Sequence, residues 1–372
     1  IIILSAVNSS RFSLSRSNRK HLNSNAEDMM KALVLSDYKQ LDLKDVPKPE
    51  PADDELLIRI QACGICGSDV HGYDGSTGRR LPPIVMGHEG AGIVEAVGNA
   101  VSGFRPGDRA TFDSTVFCGR CFYCRKGQVN LCDAREVIGV STPAFRRMGA
   151  FAEYVVVPER IAYHLPDEMP FAHAALIEAV SVAVHAVSLT PIALDDTIVV
   201  IGAGMIGLLT LQAALLAGAG RVFVVDVDDT RLELALSLGA TRTFNSHDGN
   251  TVSNIIQLTM GRGADAVLEC VGTSATIKLS IDAVRKGGTV TLVGNITPTI
   301  EMGLQSTVTR QIRLQGSCAS SGEYPACISL MSRGAIRVDP LLSAVVPLED
   351  GAKWFRRLYE REPGLLKVVL QP

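Results

Sequence analysis

Two rhythms of apolar residues divide this chain. From Lys31 to about Tyr163, short runs alternate apolar and polar positions, as in Glu55-Leu56-Leu57-Ile58-Arg59-Ile60, Gly92-Ile93-Val94-Glu95-Ala96-Val97 and Ala152-Glu153-Tyr154-Val155-Val156-Val157. A period of two predicts strands with one buried face. Pro106-Gly107-Asp108-Arg109 is turn chemistry leading into another strand. This part reads as a β-rich, partly barrel-like unit.

After Pro170 the rhythm changes. Residues 172–187 have helical composition with little interruption. Strands at 198–201, 222–225, 266–270 and 289–293 then alternate with helices at 205–217, 229–238 and 275–285. Alternation of this kind predicts a doubly wound parallel sheet, so the expected fold class is α/β. From about Ile312 the pattern returns to strands and turns, and it ends in Lys367-Val368-Val369-Leu370, a run able to fold back onto the first unit.

The totals narrow the function classes. At 372 residues the chain is too long for one ordinary core. Apolar residues make up 47% and charged ones 20%, the net charge is −3, and no basic stripe points to nucleic acid. Residues 198–220 carry no charge and reach the length of a membrane span, yet a β-branched start followed by Gly202, Gly204 and Gly207 reads as strand, turn and buried helix. Neither a membrane nor a nucleic-acid partner is expected. Residues 1–28 are rich in Ser, Arg and Asn and have no acid before Glu27. That composition suits a targeting segment, a disordered tail or a mis-set start, and Met29-Met30-Lys31 looks like a natural beginning.

Three motifs carry chemistry. The first is Cys63-Gly64-Ile65-Cys66-Gly67-Ser68-Asp69-Val70-His71, with His88 and Glu89 following seventeen residues after His71. Cys66, His88 and Glu89 can supply the three protein ligands that a catalytic zinc needs, while Ser68 and His71 are of the right type to move a proton. Cys63 and Cys66 also form a C-x-x-C that is open to a redox reading. Their position after a strand in the β-rich unit favours Cys63 as a packing residue and Cys66 as the ligand.

The second motif is Cys118-x2-Cys121-x2-Cys124-x7-Cys132, four of the nine cysteines. Four thiolates at this spacing can wrap one tetrahedral zinc, and the closed shell makes the role structural. An iron–sulfur cluster is the competing reading, but the usual following Cys-Pro is missing. Such crowding fits metal ligation in a reducing compartment, the cytoplasm, better than a disulfide framework.

The third motif is Gly202-x-Gly204-x-x-Gly207, placed between a strand and a helix as a dinucleotide fingerprint must be. Asp226 ends the next strand nineteen residues beyond Gly207, where a carboxylate can hold ribose hydroxyls. Asp228 and Asp229 would repel a 2′-phosphate, so NAD is the expected cofactor rather than NADP. Arg231 reads either as a cover for the adenine or as a plain surface-helix arginine.

With these motifs in this order, the chain resembles the zinc-dependent medium-chain alcohol and polyol dehydrogenases over more than nine-tenths of its length. The resemblance implies a Rossmann doubly wound parallel sheet and a β-rich GroES-like catalytic domain formed by both chain ends. The corresponding boundaries are 29–178 with 320–372 for the catalytic domain and 179–319 for the NAD-binding domain, residues 1–28 standing apart. It further implies Cys66 and His88 as catalytic zinc ligands with Glu89 beside them, Asp69 orienting the His88 imidazole, a second structural zinc, and a homotetramer or dimer. Leu176-Ile177-Glu178-Ala179-Val180 puts a glutamate where simple alcohol dehydrogenases carry a cysteine. This looks like the sorbitol, threonine and galactitol-phosphate dehydrogenases, in which that glutamate binds the zinc or its water.

Two departures leave the substrate open. Mammalian-type sorbitol dehydrogenases have a tyrosine after the relay histidine and an arginine in a downstream loop; here stand Gly72 and an arginine-free Gly316-Ser317-Cys318-Ala319-Ser320. Those enzymes also lack the cysteine quartet. The expected reaction is oxidation of a secondary hydroxyl of a sorbitol-like polyol to a ketone. Ser68 would take the hydroxyl proton and pass it through the nicotinamide ribose to His71, with Glu178 acting on the zinc-bound water. The rivals are L-threonine 3-dehydrogenase, a sugar-phosphate polyol dehydrogenase using Arg79 and Arg80, and a non-catalytic cofactor-binding protein. His164, His173 and His247 read as structural or surface residues. His185, seven residues after Glu178, reads as a core residue.

Overall fold

The computed structural model describes residues 29–372; the amino-terminal expectations lie outside the described residues. Strand Glu55–Gly64 is the axis of the first sheet. It pairs with Glu89–Val97 along most of its length, with Tyr154–Pro158 over its first half, and with Lys367–Gln371 at its end. Across the sheet the order is 162–164, 109–112, 89–97, 55–64, 367–371 and 342–347. A smaller antiparallel sheet of Met29–Asp37, Gln40–Pro47 and Ile84–Val85 shares its core, in which Leu33, Leu35, Ile58, Ile60, Phe112, Phe151 and Phe355 are fully buried. Fully burying such a side chain contributes about 1.5–3 kcal/mol.

The second sheet is six-stranded and parallel, in the order 242–245, 221–226, 197–201, 264–269, 284–292 and 313–316. Its central strand Thr197–Ile201 sends Ile198 and Val200 into one core and Val199 and Ile201 into another. Helices cover both faces, so the run is continuously apolar rather than alternating. That is why residues 198–220 mimic a membrane span: they are this strand plus the helix Met205–Leu216, of which residues 207–214 are buried.

Several elements differ from the sequence pattern. The helical run near 172–187 is two helices, Phe171–Ala174 and Ile177–Ser188. It is the one helical stretch among the described residues long and apolar enough to cross a membrane, and it packs mostly inside the protein. Strand Arg242–Asn245 and helix Thr251–Leu258 complete a crossover too short to announce itself by periodicity. The region after Ile312 is not only strands and turns. Arg313–Gly316 closes the parallel sheet, and helices Tyr324–Ser332 and Gly351–Tyr359 follow. The last of these buries Phe355 while its charged residues face out, a 3.6-residue pattern masked by the flanking apolar strands.

Candidate active site and cofactor crevice

Sheet register builds the first site. Gly64 pairs with Glu89, so the residues just beyond each strand end, Cys66 and His88, meet. Cys66 caps the six-residue helix Gly67–Gly72. One ligand atom from each of Cys66, His88 and Glu89 lies within 4.8 Å of the others. Ser68 Oγ lies 3.4 Å from both Cys66 Sγ and His88 Nε2. The other imidazole nitrogen, His88 Nδ1, faces Asp69 Oδ2 at 3.3 Å. A carboxylate on Nδ1 leaves Nε2 as the nitrogen directed at the thiolate side, the arrangement of a metal-ligating histidine.

Asp69 is fully buried, and Arg80 donates to its Oδ1 from Nη2 at 2.7 Å and from Nε at 3.2 Å. Burial opposes ionisation of Asp69, but His88 and Arg80 outweigh it and hold the carboxyl at about 2. Arg80 is therefore committed to Asp69, which corrects its reading as a free cation for a phosphate; Arg79 alone remains exposed. His71 sits one turn after Ser68 on the same helix, exposed, and no side-chain hydrogen bond joins the two among the described residues.

Glu89 carries a partner that sequence reasoning missed. Lys367, almost fully buried at the start of the last strand, donates from Nζ to Glu89 Oε2 at 2.5 Å and to the Ile65 carbonyl at 3.1 Å. The one signal was a lysine directly before the apolar run Val368-Val369-Leu370. Glu178 stands in the first turn of helix Ile177–Ser188. Burial pushes its carboxyl up to about 7, with His88 and Lys367 opposing and Glu89 and Asp113 adding. Its charge thus belongs to the same cluster, although it is not within the tight group formed by Cys66, His88 and Glu89. Cys63 lies in the core, its thiol pushed well up by burial and by Glu89, which suits a packing residue and not a redox partner.

The four cysteines Cys118, Cys121, Cys124 and Cys132 bring their sulfurs within 4.8 Å of one another. Backbone N–H groups of Arg120 and Cys121 draw the Cys118 thiol down to about 6, while burial pushes Cys124 up to about 12. A closed sulfur shell with one ready thiolate fits zinc.

In the second unit, Gly202 has φ +95°. A Cβ on Gly207 would fall 1.7 Å from the Gly202 carbonyl, so only glycine lets the helix meet the strand here, while a Cβ on Gly204 would meet nothing within 4 Å. Space of this kind at the amino end of helix Met205–Leu216 is what a bound pyrophosphate would need. Asp226 accepts from Ala203 N at 2.5 Å through one oxygen and from Val227 N and Asp228 N through the other. Asp228 caps the next helix, and Arg231 lies 3.6 Å from it.

Comparison with known proteins agrees with this geometry. The alcohol dehydrogenase GroES-like domain matches residues 52–167, and the zinc-binding dehydrogenase family matches residues 206–333. Sorbitol dehydrogenase of Bacillus subtilis is 33% identical over 347 residues, 92% of this chain and 97% of its own. A zinc-binding dehydrogenase from Sinorhizobium meliloti, solved bound to NADP, is 35% identical with a TM-score of 0.85, covering 92% of this chain and 99% of that one. Galactitol-1-phosphate dehydrogenase from Escherichia coli is 29% identical with a TM-score of 0.85, covering 92% and 100%. The chain belongs to the zinc-dependent medium-chain dehydrogenases, in their polyol subgroup. It is a zinc- and nicotinamide-dependent oxidoreductase.

Proposed function

We propose that this enzyme oxidises a secondary hydroxyl of an unphosphorylated polyol to a ketone, with NAD as cofactor. The observation that carries the reading is the joint placement of Ser68 against Cys66 and His88 with the acid cluster of Glu89 and Glu178 behind them. Zinc bound by Cys66 and His88 would lower the pKa of the substrate hydroxyl, and bound nicotinamide would accept the hydride. Ser68 would receive the hydroxyl proton, and the exposed His71 would exchange protons with solvent. Asp69 fixes the His88 ring. Glu178 holds or releases a proton beside the substrate oxygen. The Cys118–Cys132 quartet holds a second, structural zinc.

The commitment of Arg80 to Asp69 favours a neutral polyol over a sugar phosphate. Asp226, and an Arg231 engaged with Asp228, favour NAD over NADP. Strand Arg313–Gly316 is an edge of the parallel sheet, and Ile296, Leu304 and Val308 nearby in sequence are 48%, 65% and 67% exposed. An open edge beside apolar side chains supports self-association.

The test is NADH formation by zinc-loaded protein on sorbitol, xylitol, galactitol 1-phosphate and L-threonine. Turnover of sorbitol or xylitol, lost in Cys66→Ser, supports the reading. Turnover of threonine alone, or of the phosphate alone, replaces it.

A further inference from the structure

A buried asparagine of the four-cysteine lobe reaches across to the rest of the molecule. Asn130 lies two residues before Cys132 and is 5% exposed. Its Nδ2 donates to the Cys318 carbonyl at 2.7 Å and lies 3.3 Å from His185 Nε2. A carbonyl partner fixes that atom as the amide nitrogen, so His185 Nε2 is the acceptor and Nδ1 carries the hydrogen. Nδ1 accordingly sits 2.6 Å from Glu323 Oε1, and the other Glu323 oxygen accepts from the Ser321 backbone. His185 is on the helix Ile177–Ser188, which carries Glu178 in its first turn, two turns away on the same face.

The same loop is tied down at three more points. Ser321 Oγ donates to Gly127 O at 2.8 Å, Ser320 Oγ to Asp113 Oδ2 at 3.1 Å, and Arg135 reaches both Asn130 O and Cys318 Sγ. Within this loop Ala319 has φ +52°, a conformation that costs a non-glycine residue free energy and persists only where surroundings enforce it.

We propose that Asn130 is a positioning residue through which the cysteine lobe holds the loop Ser317–Ser321 and, by way of His185, the helix bearing Glu178. The lobe thereby ties the units of the two sheets together. This inference rests on the structural-zinc reading of the quartet.

The test uses zinc-loaded full-length Asn130→Leu, with the smaller Asn130→Ala as a second variant should the leucine prevent folding. Zinc content is expected to stay at one ion for each of the two ligand groups. Backbone hydrogen exchange should accelerate in 316–323 and 177–188 while 118–132 stays protected. The ratio kcat/KM should fall about tenfold, the scale for losing a hydrogen bond that orients an active-site group. Unchanged exchange and activity, or faster exchange confined to 118–132, overturns the proposal. Wild-type protein holding no metal on the quartet overturns instead the reading beneath it, whatever the variants do.

Discussion

Lys367 and Glu89 form a buried ion pair, Nζ to Oε2 at 2.5 Å, that joins the last strand of the chain to the residue after His88. Their side chains are 3% and 1% exposed, so neither charge has water to fall back on. Removing one partner of such a pair leaves an uncompensated charge and typically costs about 3–5 kcal/mol. Lys367→Met is therefore expected to destabilise the zinc-free protein by that order, read as a lower urea midpoint. Zinc should recover part of the loss by taking up the freed Glu89 carboxylate, so the variant should gain more stability on metal addition than wild type.

Arg80 and Gly72 form a second coupled pair. A Cβ on residue 72 would fall 2.5 Å from Arg80 Cγ, and Arg80 cannot swing away without abandoning Asp69. This gives a physical reason why a side chain, such as the tyrosine of mammalian-type sorbitol dehydrogenases, is missing at that position. Gly72→Ala should destabilise by about 1–3 kcal/mol, as overpacking does. In Arg80→Ala the added methyl should cost much less, so a double-mutant cycle measured by denaturant unfolding should show clear non-additivity. Additive effects would mean that the two side chains do not compete for that space.

Glu178 sets a pH dependence. Its folded carboxyl is raised to about 7 from an ordinary 4.5, chiefly by burial. The folded, zinc-free chain thus keeps a proton that the unfolded chain has already released. Stability of the zinc-free protein should fall as pH rises from the ordinary carboxylate range through about 7 and level off above it. Glu178→Gln should flatten that slope. Zinc binding at mildly acid pH should release fewer protons in the variant than in wild type, measured by calorimetry in buffers of different ionisation enthalpy.

The side-chain groups that the fold brings together were legible in the sequence where their spacing is local. Cys66, Ser68 and Asp69 share one turn, the four cysteines one loop, and Gly202 to Gly207 one strand-to-helix junction. What was not legible depends on contacts between distant segments. Lys367 lies 278 residues from Glu89, and its place before an apolar run does not say which acid it meets. Arg80 looked like a free cation because only the folded chain brings Asp69 beneath it. Strand Arg242–Asn245 is too short to establish a period, and its place is fixed by pairing with Phe223–Asp226.

Asp226 has two tasks that a single substitution can separate. One oxygen holds the Ala203 N–H at 2.5 Å, which ties the fingerprint turn to the end of the neighbouring strand, and in the proposed reading the carboxylate also receives the adenine ribose of NAD. Asp226→Asn keeps the shape and an acceptor for the turn but loses the charge and one acceptor. A hydrogen bond to a charged group contributes about 1.5–3 kcal/mol, so KM for NAD should rise roughly ten- to hundredfold. NADP should gain little, because Asp228 and Asp229 still oppose a 2′-phosphate and Arg231 remains beside Asp228. Placing an arginine at Val227, exposed directly after Asp226, together with Asp226→Asn should supply the missing cation and shift the ratio of kcat/KM toward NADP. If Asp226→Asn alone reverses the preference, discrimination rests on that one carboxylate and not on the acidic run around it.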